Sequence, residues 1–172
     1  MIWTVHIMFL HHPELHSLLT ALQGCPQAEA RLSGSSEHPR IYGLVSFYQT
    51  PRGVLAAAQV WGLPTTLPGN IFGFHIHSGG QCSGNEADPF ADALTHYNPT
   101  QEEHPFHAGD LPPLFGNNGY ALQVFLTDRF SVHDILGKTV IIHSGPDDFT
   151  SQPAGSAGAK IACGQIKPHG PC

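Results

Sequence analysis

Phe72-Gly73-Phe74-His75-Ile76-His77 sets an apolar side chain at every second position and two imidazoles between them. In an extended strand successive side chains point to opposite faces, so Phe72, Phe74 and Ile76 share one face and His75 and His77 the other. The apolar face suits a core, and the imidazoles project outward toward a common ion. A lone histidine on a strand is ordinarily a hydrogen-bonded residue, whereas an HxH pair on the polar face of an apolar strand has the spacing of metal ligands. The stretch therefore asks for a β fold with a metal at its surface.

Downstream, HYNPTQEEHPFHAGD places His96, His104, His107 and Asp110 at spacings of eight, three and three. Three imidazoles and one carboxylate fill a tetrahedral Zn(II) shell with no open position, the pattern of a structural site. Adding His143 in TVIIHS gives six histidines and one carboxylate, more than one ion needs and about right for two. In a chain with thirteen histidines, chance clustering on a polar loop is the competing explanation. His6, His11, His12, His16, His38, His133 and His169 are assigned to that ordinary class.

Composition agrees with a β protein. A chain of 172 residues with 41% hydrophobic content suffices for one domain with a real core. Nineteen glycines and fifteen prolines in short clusters, with no long helical periodicity after residue 25, favour short strands and loops. Segments Ala28 to Leu32, Ile41 to Tyr48, Val54 to Val60, Ile71 to His77, Tyr120 to Leu126, Thr139 to His143 and Ile161 to Ile166 read as strands. The fold class expected is all-β, a Greek-key barrel or sandwich of about seven to eight antiparallel strands with long loops. Residues 1–25 read as an N-terminal extension with a short helix from about Pro13 to Gln23, on the helical spacing of Leu15, Leu18, Leu19 and Leu22; residues 26–172 form the barrel domain.

The formal charge of -6, with seven Lys and Arg spread along the chain, leaves no basic stripe for nucleic acid. The same balance repels small anions at long range, so an anionic substrate needs a local cation. No apolar run is long enough to cross a bilayer. The opening run Ile2 to Leu10 has no basic residue before it and is broken by His11, His12 and Pro13, which is poor signal-peptide grammar. Leu22-Gln23-Gly24-Cys25 echoes a lipoprotein cleavage site without the apolar region such a site needs. The expected location is the cytoplasm. Four cysteines allow three pairings, and Cys25 and Cys172 either pair, stay free or are irrelevant.

GFHIH, HYNP, HAGDLPPL, GKTVIIHSGPDD and GSAGAKIACGQI, in that order, resemble the copper/zinc superoxide dismutase family. The strands ARLSG, GLVSFYQT and GVLAAAQVWGLP also fit, so the resemblance spans about Pro26 to Ile166. It implies copper held by His75, His77, His96 and His143, and zinc held by His96, His104, His107 and Asp110, with His96 shared. It implies a Cys82–Cys163 disulfide and places Asp147 as the carboxylate that hydrogen-bonds one ligand of each ion, His75 and His104, with Asp148 as fallback. A bridge from Cys82 to Cys163 closes a loop of about 80 residues, worth roughly 4 to 5 kcal/mol by chain entropy.

The activity implied is disproportionation of superoxide to oxygen and hydrogen peroxide, His96 releasing copper, taking up a proton and returning it to the peroxide. Superoxide is then the substrate, with a copper chaperone and a second copy of the chain as further partners. The chain departs from the pattern in four places. Lys160 stands where the family has an arginine, three residues before the last barrel cysteine; it attracts an anion but lacks the planar fork that orients one, so reduced activity is expected. The stretch SGPDDFTSQPAGSAGA between His143 and Lys160 has no Lys, Arg or Glu to guide the anion. Asn85 to Leu94 reads as an insertion after Cys82, and the His104 to His107 spacer is short. Two rivals stand beside this reading. One is a weakly active or non-catalytic copper/zinc-binding protein of the same fold. The other is a zinc hydrolase, disfavoured because no glutamate lies beside the HxH pair to act as base.

Overall fold

Small and branched residues at alternate positions make most strands one-sided. Val54, Ala56, Ala58 and Val60 of β3 (Gly53–Trp61) are wholly buried, as are Val45 and Phe47 of β2 (Tyr42–Thr50) and Ala28 and Ala30 of β1 (Ala28–Gly34). These residues meet Phe72, Phe74, Ile76, Val140, Ile142 and Ile166 in one core. Removing a wholly buried ring such as Phe74 costs about 3–5 kcal/mol. The structure is a computed structural model that describes residues 13–66 and 70–170; the run Ile2 to Leu10, the histidines His6, His11 and His12, and Cys172 lie outside the described residues.

The remaining strands are β4 (Ile71–Phe72), β5 (Phe74–His77), β6 (Leu114–Phe115), β7 (Tyr120–Thr127), β8 (Thr139–His143) and β9 (Lys160–Pro168). Seven of them form one antiparallel sheet in the order β5-β8-β9-β1-β2-β3-β7, and β4 pairs with β6 in a separate two-stranded sheet. The sheet curls around the core as a Greek-key barrel, the all-β architecture expected. Helix α1 (Pro13–Gln23) has the bounds read from its leucine spacing and lies against β2, and a second short helix, α2 (Val132–Ile135), is capped by Ser131 and Asp134.

Two features differ from the sequence reading. The expected strand Ile71 to His77 breaks at Gly73, where β4 leaves for the second sheet. A side chain at Gly73 would press on Ala157 and His143, and the Gly73 backbone instead bonds Gly145 N–H-to-carbonyl and accepts from His143. The second difference is burial: His75 and His77 are 0% and 2% exposed rather than facing water. The segment 78–113 folds across the outer face of β5 and β8, so Thr139 to His143 is buried on both faces, with Ile141 packed on Phe90, Ala93 and Cys163.

Candidate metal centre

Cross-strand register puts His75 opposite Ile141 and His77 opposite Thr139 on β8, so both imidazoles share the outer face with His143 at the end of that strand. The free edge of β5 is covered by loop backbone. The Ile76 N–H donates to Gly109 (2.9 Å), and the Ile76 carbonyl accepts from Tyr97 (2.8 Å). This leaves His96 facing His77 and Asp110 facing His75. A side chain at Gly109 would overlap the Ile76 carbonyl, so glycine is required for this approach.

Two groups of side chains result. Ligand atoms of His75, His77, His96 and His143 lie within 4.8 Å of one another, as do those of His96, His104, His107 and Asp110; every member is buried and His96 belongs to both. Hydrogen bonds divide the nitrogens between inward and outward roles. His77 Nδ1 meets the Leu94 carbonyl at 2.9 Å and His143 Nδ1 the Gly158 carbonyl at 3.0 Å, which leaves both Nε2 atoms turned toward each other at 3.3 Å. His75 Nε2 meets Asp147 Oδ2 at 2.7 Å, and its Nδ1 is buried with no hydrogen-bond partner. His96 Nδ1 meets Asp110 Oδ1 at 2.7 Å while its Nε2 is likewise buried and unpartnered.

In the second group, His104 Nε2 meets Asp147 Oδ1 at 2.9 Å; its Nδ1 lies 3.2 Å from Asp110 Oδ2 but makes no hydrogen bond. His107 Nδ1 lies 3.4 Å from His96 Nδ1 and 3.3 Å from Asp110 Oδ2. Three buried ring nitrogens without partners are costly in a protein interior unless a cation accepts their lone pairs. The donor chemistry suits two ions: four imidazoles on one side, three imidazoles and a carboxylate on the other.

Asp147 spans both groups through its two oxygens. Burial alone would raise its pKa, but hydrogen bonds from His75, from the Phe149 N–H and from His104 bring it down to about 2. Burial, joined by the other imidazoles, pushes His77 down to about 2 and His143 to about 3, and lowers His75 as well. These rings are therefore neutral with free lone pairs. Asp110, raised by burial, is lowered more by its bond to His96 and stays ionised.

Three residues that the sequence did not single out fix the surrounding loops. Gln152 accepts the His104 N–H at 3.0 Å and donates to its carbonyl at 2.7 Å. Arg129 Nη1 donates to the carbonyls of Pro105 (3.1 Å), His107 (3.2 Å) and Asp110 (3.2 Å). Gly155, at φ 65°, lies so close to the Asp147–His104 contact that a side chain there would overlap Asp147 Oδ1. None has a local sequence signature, because each acts through partners distant along the chain.

Lys160 lines a cleft of about 310 Å³ together with His77, His96, His107 and His143. Its Nζ bonds Asp88 Oδ2 at 2.7 Å and the Phe90 carbonyl at 3.1 Å, so the expected guiding cation is ion-paired. Asp88 belongs to the segment read as an insertion. Cys82 and Cys163 form a disulfide, and Cys25 is also disulfide-bonded. Asp148 binds Thr150 and Ser151 in its own turn and does not reach the histidines. His16, His38, His133 and His169 join neither group.

A family model described as copper/zinc superoxide dismutase matches residues 41–166. A Cu-Zn superoxide dismutase of Aquifex aeolicus is 34% identical over 142 residues, covering 74% of this chain and 80% of that protein. The Cu-Zn superoxide dismutase of Legionella pneumophila is 36% identical over 137 residues, covering 75% and 80%. Among solved structures, the Cu/Zn superoxide dismutase from Brucella abortus superposes with a TM-score of 0.69 at 24% identity, over 81% of this chain and 99% of that one, which bears on the fold alone. The family's copper and zinc find two donor sets here that suit them. The matched residues contain both histidine groups and the disulfide, and the chain belongs to the copper/zinc superoxide dismutase family.

Proposed function

We infer that the protein disproportionates superoxide to oxygen and hydrogen peroxide, with copper held by His75, His77, His96 and His143 and zinc by His96, His104, His107 and Asp110. The observation that carries this reading is His96, which belongs to both groups, with Nδ1 against Asp110 and Nε2 buried and unpartnered. When bound, copper supplies reversible one-electron transfer and zinc a fixed positive charge.

The chain's own residues do the rest. His96 Nε2 carries one proton and returns it to the reduced product, while zinc, which Nδ1 and Asp110 would hold together, would keep the ring from turning away. Carbonyls of Leu94 and Gly158 hold the Nδ1 protons of His77 and His143, so their Nε2 lone pairs stay aimed inward. Asp147 orients His75 and His104 in the same way. Lys160 supplies the local cation that an acidic protein needs to attract superoxide. The balance is two superoxide anions and two protons consumed for one oxygen and one hydrogen peroxide released.

The Lys160–Asp88 pair supports a second reading, a slow dismutase or a copper/zinc-holding protein, because the carboxylate offsets the charge that would recruit the anion. Protein purified without chelator, assayed for metal content and for superoxide decay by pulse radiolysis, separates the two. One copper and one zinc per chain with decay well above that of free copper is expected. Decay no faster than free copper at equal concentration leaves only the holding role.

Location and partners follow by the same reasoning. Bridged cysteines at both Cys82–Cys163 and Cys25 favour an oxidising, extracytoplasmic compartment over the cytoplasm expected from the sequence. No helix among the described residues is long and apolar enough to cross a membrane. The exposed row Leu122, Val124 and Leu126 on β7 supports a second copy of the chain as partner. A copper chaperone rests on the family resemblance.

A further inference from the structure

The loop between Cys82 and Leu94 is built to present one carboxylate. Asn85 Oδ1 accepts the N–H groups of Ala87 and Asp88, and the Asp88 carbonyl accepts from Asn85 and Ala91. Asp88 Oδ1 accepts the Phe90 N–H at 3.0 Å, which leaves Oδ2 turned to Lys160 Nζ. The Phe90 carbonyl takes a second Nζ proton, and Cys82–Cys163 ties this loop to the strand that carries Lys160. The lysine side chain is 14% exposed and lines the histidine cleft, and its partner aspartate is 38% exposed.

A lysine has a flexible stem and a compact charge, so an unrestrained one offers an anion attraction without a fixed position. Two acceptors on one loop remove that freedom, and one of them brings a full negative charge. We propose that Asp88 is a positioning residue for Lys160 that fixes its ammonium at the cleft and offsets its charge, so that anion selection at the copper site is set by the pair rather than by the lysine alone. The inference rests on the copper assignment above, and it predicts that the cleft recruits anions more weakly than a lone cation would.

Two measurements on the full chain test it. In the metal-free protein the Lys160 ammonium, held by Asp88 and Phe90, gives a slowly exchanging nitrogen-15 NMR cross-peak. D88N keeps an acceptor for the Phe90 N–H but removes the ion pair, and that cross-peak broadens away. In the copper- and zinc-loaded protein, azide titrated against the copper absorption band binds about two- to threefold more tightly in D88N at low ionic strength, and equally in both proteins at high salt. D92N, which neutralises a carboxylate of the same loop without touching Lys160, leaves azide affinity unchanged. An unaltered Lys160 cross-peak in D88N overturns the positioning role, and unchanged or weakened azide binding overturns the charge offset. The NMR arm needs no metal, so a protein that binds copper without dismutating superoxide sinks the proposed function and leaves this arm standing.

Discussion

Gln152 lays its side-chain amide along the backbone of His104, accepting its N–H at 3.0 Å and donating to its carbonyl at 2.7 Å. The loop after β8 thus grips the His104 segment at two points, through this amide and through Asp147. Replacing Gln152 with alanine removes two hydrogen bonds worth about 1 kcal/mol each. Zinc affinity, read by chelator competition, is expected to fall about tenfold with copper affinity little changed. Equal losses at both sites would mean that the amide supports the fold in general and not His104.

Asp147 makes a contrasting case, since it touches one histidine of each group. D147A frees His75 Nε2 and His104 Nε2 together, so affinity for both ions should drop by about 10- to 100-fold. Competition titrations with each metal in turn check this. A drop confined to one ion contradicts the shared role.

Residues 82 and 163 lie 81 positions apart, and the disulfide between them closes a large loop of the unfolded chain. By the chain-entropy relation it contributes about 4.5 kcal/mol. The C82S/C163S variant should lose about that much in denaturant unfolding of the metal-free protein. Because the same bridge anchors the Asp88 loop, the variant should also show faster proteolysis between Ser83 and Leu94. A midpoint equal to that of the parent protein would refute the estimate.

Acid sensitivity follows from the buried imidazoles. Burial holds His77 near 2 and His143 near 3 in the fold, against an ordinary value of 6.5. Below 6.5 the unfolded chain binds protons that the folded metal-free chain refuses, so stability falls as pH drops, by about 1.4 kcal/mol per pH unit for each ring. Asp147, depressed to about 2 from 3.8, adds stability above 3.8 that is lost as pH falls further toward 2. Metal-free protein should show a melting temperature that declines steadily from pH 6.5 to pH 3. A flat profile over that range would show that the imidazoles are reached by water.

The alternation in Phe72 to His77, the spacing from His96 to Asp110 and the apolar β8 all act over a few residues, and for that reason they were legible in the sequence. The helix at Pro13–Gln23 was legible for the same reason, its leucines recurring at helical spacing. What failed to show was longer in range. Gly73 reads as one more strand residue until Ala157 and His143 are seen against it, and the outward histidines become buried only because segment 78–113 closes over them. Lys160 reads as a free cation from its own neighbours; Asp88, seventy-two positions earlier, pairs with it. Gln152 and Arg129 are likewise defined by backbone groups far along the chain, which no local pattern encodes.

The free side of β5 has a further consequence. The backbone groups of Ile76 that point away from β8 are taken up by Tyr97 and Gly109, next to His96 and Asp110. A change that lifts Tyr97 or Gly109 off Ile76 is therefore expected to shift His96 and Asp110 and to bare a strand border able to recruit a neighbouring molecule. A substitution at Gly109 that pushes this loop off the strand should be recognisable by self-association as well as by weakened metal binding.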